Sequence, residues 1–221
     1  MHEYRVEHGV AVLSFDDGKA NAVGYEFIEH MEAGLERAQR EADAVLISGR
    51  SGLFSGGFDL KELRKGAEAG SALVNRGAKM LLDLYRHPQP VIAACTGHAV
   101  AAGAFVLLAC DTRIGALGEY SIGLNETALG MSFPVFAIEL THARLSKRHV
   151  TASFVQSTLY SAGAAVDAGF LDEAVAEEMV VERAMAEARR LGELPAQAYA
   201  ANKRLIRAIA INTIEASLSR G

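Results

Sequence analysis

The stretch GHAVAAGAFVLLACD, residues 97–111, decides the fold of this chain. The run Pro90–Cys95 just before it is short, apolar and opened by proline, which predicts a buried strand. Within the stretch, Ala101–Ala104 carry almost no side chain, and Phe105–Ala109 predicts a short buried helix. The first N–H groups of a helix have no partner inside it, and they attract negative charge. A ligand oxygen can therefore reach the backbone at this turn.

A second stretch, LFSGGFDL at residues 53–60, repeats the arrangement. It follows the apolar strand candidate Ala44–Gly49 and precedes a predicted helix over Lys61–Lys65, with Asp59 as a candidate cap. Taken alone, the first turn is better explained as close packing of a helix on a strand. Two such turns, however, can supply two N–H donors to one oxygen. Stabilising an enolate or a tetrahedral oxyanion needs that arrangement.

Composition narrows the class of protein. The 221 residues are 50% hydrophobic and 22% charged, which fits one globular domain with an appended helical segment. The net charge is -5 and no basic run is present, so nucleic acid is excluded as a partner. Cys95 and Cys110 lie in apolar segments and are interpreted as reduced core residues of an intracellular protein. The sequence shows neither a signal peptide nor an apolar run long enough to span a membrane, so a cytoplasmic protein without a membrane partner is expected.

The remaining elements follow from periodicity and turn residues. They are a hairpin of Tyr4–Glu7 and Val10–Phe15, helices over Ala22–Arg40 and Leu73–Tyr85, strands Thr112–Gly115 and Glu119–Ile122, and helices Phe136–Arg144, Lys147–Leu159, Ala164–Ala168, Val180–Leu191 and Ala196–Leu218. Residues Gly66–Ser71 are small and polar, which predicts a mobile connection. The alternation of strands and helices indicates an α/β fold with mostly parallel pairing.

Three motifs together resemble the crotonase, or enoyl-CoA hydratase/isomerase, superfamily. They are FSGGFDL at 54–60, GHAVAAGAFVLLACD at 97–111 and IGLNETALG at 122–130, within a resemblance that runs from DGKANAV at 17–23 to YSAGAAVDAGFLDEAV at 160–175. The resemblance implies an α/β spiral of ββα units over residues 1–155 and a C-terminal helical region, 156–221, that serves oligomerisation. It further implies an acyl-CoA substrate and a homotrimer or hexamer.

The resemblance also implies which residues form the site. The backbone N–H groups of Phe58 and Ala102 are the implied oxyanion donors, and Glu126 is the implied catalytic carboxylate. Coenzyme A enters as part of the substrate, and its contacts are implied for Lys19, Asn21, Ala22, Gly56, Gly57, Asp59, Leu60 and Asn125. No His, Cys or Asp cluster has metal spacing, so neither a metal nor a further cofactor is expected.

Some cationic residues have two interpretations. Lys19 either meets a phosphate of coenzyme A as a point charge or belongs to an ordinary exposed turn. Lys203, Arg204 and Arg207 on the last helix either reach a coenzyme A phosphate or lie on an exposed helix face. Asp111, which closes the apolar helix, is expected to make structural hydrogen bonds.

The reaction class depends on two positions. Hydratases of the superfamily use two glutamates to hold and activate water, and the first of these positions is Phe105 here, whereas the second is Glu126. Moving a double bond requires only one group that takes up and returns a proton. The segment IGLNET also resembles that of Δ3-Δ2-enoyl-CoA isomerases. The sequence therefore favours an isomerase.

Three alternatives stay open at this stage. A hydratase can work with one carboxylate, other crotonase reactions reuse the same oxyanion donors, and a non-catalytic acyl-CoA-binding homologue needs no base. Glu126 is also consistent with an ordinary surface carboxylate. If Phe105, Phe133 and Leu124 form an apolar pocket around Glu126, its pKa should be raised towards that of a useful base.

Overall fold

The computed structural model describes residues 2–219. The strands of the protein are short. They are β1 (Glu3–Glu7), β2 (Val10–Ser14), β3 (Ala44–Ser48), β4 (Gly52–Ser55), β5 (Val91–Cys95), β6 (Gly97–Val100), β7 (Thr112–Ala116), β8 (Ile122–Gly123), β9 (Leu159–Tyr160) and β10 (Glu173–Val175). The helices are α1 (Tyr25–Glu41), α2 (Leu60–Leu63), α3 (Ala67–Tyr85), α4 (Ala102–Ala109), α5 (Val135–Arg144), α6 (Val150–Phe154), α7 (Ala162–Ala168), α8 (Val180–Gly192) and α9 (Ala196–Leu218). Thr127–Leu129 and Glu177–Met179 form single 3-10 turns.

The strands form two sheets. The larger sheet has the order β1-β2-β3-β5-β7-β10 and the smaller one the order β4-β6-β8-β9. Pairing is antiparallel between β1 and β2 and between β8 and β9, and parallel between the other neighbours in the described chain. The chain visits the sheets in turn, so that β3 is followed by β4, β5 by β6 and β7 by β8. This alternation confirms the predicted spiral of ββα units.

The larger sheet is covered on both faces, which explains its continuous apolar strands. In β3, Val45 and Ile47 face the cluster formed with α1, α3 and α4. Leu46 points to the opposite face, where α8 supplies Val180 and Ala184. A strand buried on both sides needs an apolar residue at every position. This is why β3 and β5 were recognisable from sequence.

Three predicted segments are wrong. The strand predicted over Glu119–Ile122 is extended only from Ile122, where β8 begins. The predicted helix Lys147–Leu159 is helical only as α6, and Leu159–Tyr160 forms β9 instead. Between them Ser157 adopts a φ of 55°, a left-handed conformation that a helix does not continue through. The connection Gly66–Ser71 is not a loop, since α3 begins at Ala67. Ala67–Ala69 are good helix formers, and the composition of the segment concealed this.

The C-terminal segment shares the sheets of the core. Strand β9 pairs with β8, β10 pairs with β7, and α8 packs against β3 and β5. Residues 156–219 are therefore not wholly helical. Helix α9 has the predicted bounds and packs on α5 and α3. Within residues 2–219, no helix has the length and apolar character needed to cross a membrane.

Candidate active site

Three neighbouring strands of the smaller sheet end at one edge. The pairs β4–β6 and β6–β8 are both parallel, so the carboxyl ends of the three strands lie side by side. Each strand then enters one of the turns singled out in the sequence, and these turns carry Phe58, Ala102 and Glu126. Residues far apart in the chain are thereby brought to the same edge of the sheet. The predicted strands β3 and β5 do not lead directly into the turns, because β4 and β6 intervene.

The first two turns approach each other closely because Gly57 has no side chain. Gly57 has a φ of 99°, and a Cβ added to it would lie 2.9 Å from the Cβ of Ala101 and 3.5 Å from the nitrogen of Ala102. Likewise, a Cβ on Gly103 would lie 2.5 Å from the carbonyl oxygen of Ser55. Glycine at both positions lets the two turns come together as one backbone surface.

Both predicted donor N–H groups are available. Phe58 and Val23 form an isolated parallel β-bridge in which the N–H of Phe58 takes no part. Val23 N–H donates to Gly57 O at 2.8 Å, and Asp59 N–H donates to Val23 O at 3.3 Å. The N–H of Phe58 itself has no acceptor in the described chain. Ala102 is the first residue of α4, where an N–H has no partner within the helix.

Ala101 holds a strained backbone conformation directly before the second donor. Its φ of 52° and ψ of −126° are values that residues with a side chain rarely adopt. Its N–H donates to Gly123 O at 3.0 Å, which ties this turn to the end of β8. Sequence reasoning missed Ala101, because nothing in an alanine indicates a positive φ.

Glu126 directly precedes the 3-10 turn Thr127–Leu129 and is held by it. Its carbonyl oxygen accepts from Leu129 N at 3.0 Å and from Met131 N at 2.9 Å. The turn is fixed to the chain beyond it by two further hydrogen bonds: the Thr127 hydroxyl donates to Phe154 O at 3.1 Å, and Ala128 N–H donates to the Ser157 hydroxyl at 3.0 Å.

One oxygen of the Glu126 carboxylate is shielded from solvent, although the residue as a whole is half-buried. Its Oε2 atom is buried and has no hydrogen-bond partner in the described chain. Burial raises the pKa of Glu126 to about 7, although the backbone N–H groups of Glu126 and Asn125 favour the ionised form. Leu124, two residues before Glu126, is fully buried. The raised pKa agrees with the prediction for this residue.

Phe105 fills an apolar position and offers no hydrogen bond. Its side chain is 2% exposed. Its ring lies edge-on to Phe133 at 6.2 Å and to Phe136 at 5.5 Å, and Phe133 stacks on Phe154 at 3.8 Å. An aromatic cluster therefore occupies the region after the second oxyanion turn.

The segment predicted to contact coenzyme A lies beside the glycine turn. Gly56 N–H donates to Ala20 O at 2.8 Å, next to Lys19. The side chain of Asn21 is wholly buried and donates to Phe15 O at 2.8 Å, so its amide is structural. The coenzyme A contacts predicted for this part of the site stay predictions; they concern Lys19, Asn21, Ala22, Gly56, Gly57, Asp59, Leu60 and Asn125. Asp59 caps α2 by accepting from Lys61 N at 2.8 Å, as its sequence position indicated.

Two cations of the last helix do not lie on an exposed face. Lys203 Nζ and Arg207 Nη2 both donate to the carboxylate of Asp111 at 2.7 Å. Arg207 also donates to Tyr85 O at 2.6 Å. The structural role predicted for Asp111 is confirmed, while Arg204 points to solvent. In the region the structure describes, no group of three or more His, Cys, Asp or Glu side chains is arranged to hold a metal ion.

Comparison with known proteins agrees with this geometry. The profile of the enoyl-CoA hydratase/isomerase family matches residues 5–219. The chain therefore belongs to the enoyl-CoA hydratase/isomerase family. It is 30% identical to human mitochondrial enoyl-CoA delta isomerase 1 over 90% of this chain and 68% of that protein. It is 31% identical to a probable enoyl-CoA hydratase of Bacillus subtilis over 96% of this chain and 84% of that one.

A solved structure shares the fold almost completely. An enoyl-CoA isomerase of Mycobacterium tuberculosis superposes with a TM-score of 0.94 at 36% identity, covering 99% of this chain and 96% of that chain. This chain spans about two thirds of the length of the mammalian isomerases that it matches. Relatives of similar identity carry isomerase and hydratase names alike, so the family, but not the reaction, follows from these likenesses.

Proposed function

We propose that the protein is an enoyl-CoA isomerase that moves a double bond from the 3-position to the 2-position of an acyl-CoA thioester. The proposal rests on one observation: among the described residues, the active edge has a single carboxylate with an unpartnered, buried oxygen, Glu126, while Phe105 fills the position of a second one. A double-bond shift needs one proton carrier and an oxyanion site. Human and mycobacterial relatives named as isomerases support the same assignment.

The chemistry follows from the three turns. The Glu126 carboxylate removes a proton from C2 of a 3-enoyl thioester, and the electrons move onto the thioester oxygen as an enolate. The N–H groups of Phe58 and Ala102 stabilise that oxygen. The enolate electrons then form the C2=C3 bond while the C3=C4 π bond breaks and its electrons take the proton from Glu126 at C4. A pKa of about 7 suits this role, since a base works best when its pKa is close to the operating pH.

The proposal extends to the cofactor requirement, the oligomeric state and the location of the enzyme. Proton transfer and enolate stabilisation need no cofactor beyond the coenzyme A of the substrate. Helix α9 exposes Leu205, Ile206 and Ile209 by 75%, 85% and 83%, which supports assembly into the homotrimer or hexamer predicted from the family resemblance. Cys95 and Cys110 are free and buried, in keeping with a cytoplasmic protein of acyl degradation.

Purified protein tests the proposal with two substrates. A 3-enoyl-CoA should gain the ultraviolet absorbance of the conjugated 2-enoyl thioester, and Glu126→Gln should abolish this gain. If wild-type protein binds the 3-enoyl-CoA without producing conjugation, isomerisation is the wrong reaction. Light scattering on the same preparation gives the mass of the assembly, and a monomer at micromolar concentration would contradict the oligomer.

A further inference from the structure

The charged cluster beneath α9 holds more cations than carboxylates. Lys203 and Arg207 each form an ion pair with Asp111 at 2.7 Å. Arg144, the last residue of α5, joins them through Nη2, which donates to Cys110 O at 2.7 Å and to Asp111 O at 2.9 Å. These two acceptors are main-chain oxygens, and Arg144 has no ion-pair partner in the described chain. Three cations are therefore gathered around one carboxylate.

The excess charge is not neutralised within the described chain. The charge of Asp172 also acts on Arg144, but Asp172 is already paired with Arg113 at 2.6 Å. The main-chain oxygens that accept from Lys203 and Arg207 carry no net charge. Burial lowers the pKa of Lys203 to about 8 and that of Arg144 to about 10, because a poorly compensated cation is costly to keep in the interior. Two positive charges of the cluster lack a counter-ion.

A cavity of about 590 Å³ opens on this cluster. Its lining includes the four charged residues of the cluster and a group of apolar residues. The apolar group is Leu194, Pro195, Ala198 and Ile206. Lys203 and Arg207 are buried, whereas Leu194 and Ile206 are exposed. The cavity therefore leads from an apolar rim to a cationic floor.

Arg144 provides the donors that a ligand can use. Only Nη2 of its guanidinium makes hydrogen bonds, while Nη1 has no acceptor in the described chain and Nε is buried without a partner. A guanidinium is suited to bind a carboxylate through its fork of N–H groups. The carboxylate of Asp111 is already used, because it accepts from Lys203, Arg207 and Val91 N. Arg144 is therefore the cation of the cluster that is free to bind a further anion.

We propose that this cavity is a binding site for a carboxylate that carries an apolar chain. The carboxylate accepts from Arg144 and supplies a missing negative charge, and the chain lies along Leu194 and Ile206. An inorganic anion would bring the charge but would leave the apolar rim in contact with water. It would also fill little of a cavity that has the volume of a small-molecule pocket.

The proposed site is separate from the active edge. Asp111 directly precedes β7 and accepts from the N–H of Val91, the first residue of β5, so the cluster lies at the amino ends of two strands of the larger sheet. The active-site turns instead follow the carboxyl ends of β4, β6 and β8. Between the two places runs α4, which begins at the donor Ala102 and whose eight residues span about 12 Å. The inference does not depend on the proposed function.

Calorimetric titration of the purified protein with octanoate tests the proposal. Octanol keeps the chain without the charge, whereas acetate and inorganic phosphate supply negative charge without the chain. Octanoate should bind at least about tenfold more tightly than each of the three, because it alone satisfies both parts of the lining. Saturating octanoyl-CoA, a thioester with no double bond to move, should leave the affinity for octanoate unchanged, since the two ligands occupy different sites.

Two matched pairs of variants locate the site. Arg144→Met removes the free guanidinium and should weaken octanoate binding about tenfold or more, whereas Arg204→Met removes an exposed arginine outside the cavity lining and should have no effect. Ile206→Glu adds a carboxylate to the rim and should weaken binding as well. Leu205→Glu adds the same charge to a neighbouring exposed residue outside the lining and should not. Leu205 and Ile206 belong to the same exposed face of α9, so this pair is matched for any effect on assembly.

Several outcomes would overturn the inference. The wild-type protein could fail to bind octanoate, or it could bind octanol or phosphate as tightly. Displacement of octanoate by octanoyl-CoA would assign it to the active site instead. Because Arg144 also bonds two main-chain oxygens, circular dichroism first establishes that Arg144→Met is folded. Should it not fold, the second pair decides, and equal affinities of Ile206→Glu and Leu205→Glu for octanoate would contradict the proposed location.

Discussion

Two half-buried carboxylates in this molecule, Asp111 and Glu126, have opposite surroundings. Asp111 accepts hydrogen bonds from Lys203 Nζ and Arg207 Nη2, each at 2.7 Å, and from Val91 N at 2.8 Å. Glu126 has no cation beside it in the described chain, and one of its oxygens has no partner at all. The first carboxylate is fully used in joining α9 to the core. The second is left available to bind and release a proton.

The two carboxylates differ in the groups around them and not in their own chemistry. A buried charge is tolerated when cations and N–H groups surround it, and it shifts its pKa when they are absent. The same neutralising substitution should therefore have opposite consequences at the two positions. Glutamine at 126 and asparagine at 111 keep size and polarity while removing the charge, so they form a matched pair.

The largest effect is expected on catalysis. Glu126→Gln should lower isomerisation by roughly 10²–10⁴-fold, the usual contribution of a positioned acid–base group. Asp111→Asn should leave the turnover of the folded enzyme within about threefold, because Asp111 lies with α9 and not at the active edge. Steady-state kinetics on both variants checks this. Equal losses of activity in the two would contradict the division between structural and reactive carboxylates.

For the free energy of unfolding, the larger loss is expected from Asp111→Asn and not from Glu126→Gln. Asp111→Asn leaves Lys203 and Arg207 buried without their counter-ion, and the loss of one partner from a buried pair costs about 3–5 kcal/mol. The free energy of unfolding should fall by that amount, measured by urea titration. Lys203→Met with Asp111→Asn should recover part of the loss, since one unpaired buried charge is removed. No loss in Asp111→Asn would mean that solvent reaches this cluster.

The pH dependence of stability should reveal Glu126. Its pKa is about 7 in the folded protein and 4.5 in the unfolded chain, so the folded state holds the extra proton between these values. Stability contributed by this group is therefore greatest below pH 4.5 and declines as pH rises to about 7, by at most about 3 kcal/mol. Glu126→Gln should remove that decline and be more stable than wild type at pH 8. Parallel pH curves for the two proteins would contradict the raised pKa.

The smallest effect concerns the strained backbone at the same edge. Ala101→Gly should relieve the positive φ and raise the free energy of unfolding by about 1 kcal/mol or less, because glycine also loses more freedom on folding. A bulkier residue, as in Ala101→Val, should destabilise the protein. Thermal unfolding of the two variants gives the sign. A destabilising Ala101→Gly would show that the alanine methyl group packs favourably enough to outweigh the strain.

Sequence reasoning succeeded where a pattern has one physical cause. The buried strands β3 and β5 are continuous apolar runs, and the glycine turns at 56–57 and 101–103 mark close backbone approach. The two turns predicted a pair of facing N–H donors, and the family resemblance implied Phe58, Ala102 and Glu126 as the site residues, which follow neighbouring parallel strands in the structure. The apolar neighbourhood predicted for Glu126 likewise agrees with its raised pKa.

It failed where the deciding partner is distant in the chain. Strands β4 and β6 are four residues long and contain glycine, so only their neighbours in the smaller sheet identify them. Helical periodicity places Lys203 on a face of α9, but it does not show that Asp111 lies beneath that face. No local pattern encodes these pairings.

The spiral also sets when the site can form during folding. Each turn of the spiral supplies one active-site turn, and the last one, at Glu126, is held by Phe154 and Ser157 from later in the chain. Parallel strands joined by long crossovers pair slowly, because closing long loops is costly before the contacts form. A folding chain with its first two spiral turns in place has oxyanion donors but no base. Recovered activity in refolding protein therefore reports the end of folding, after the buried sheet has assembled.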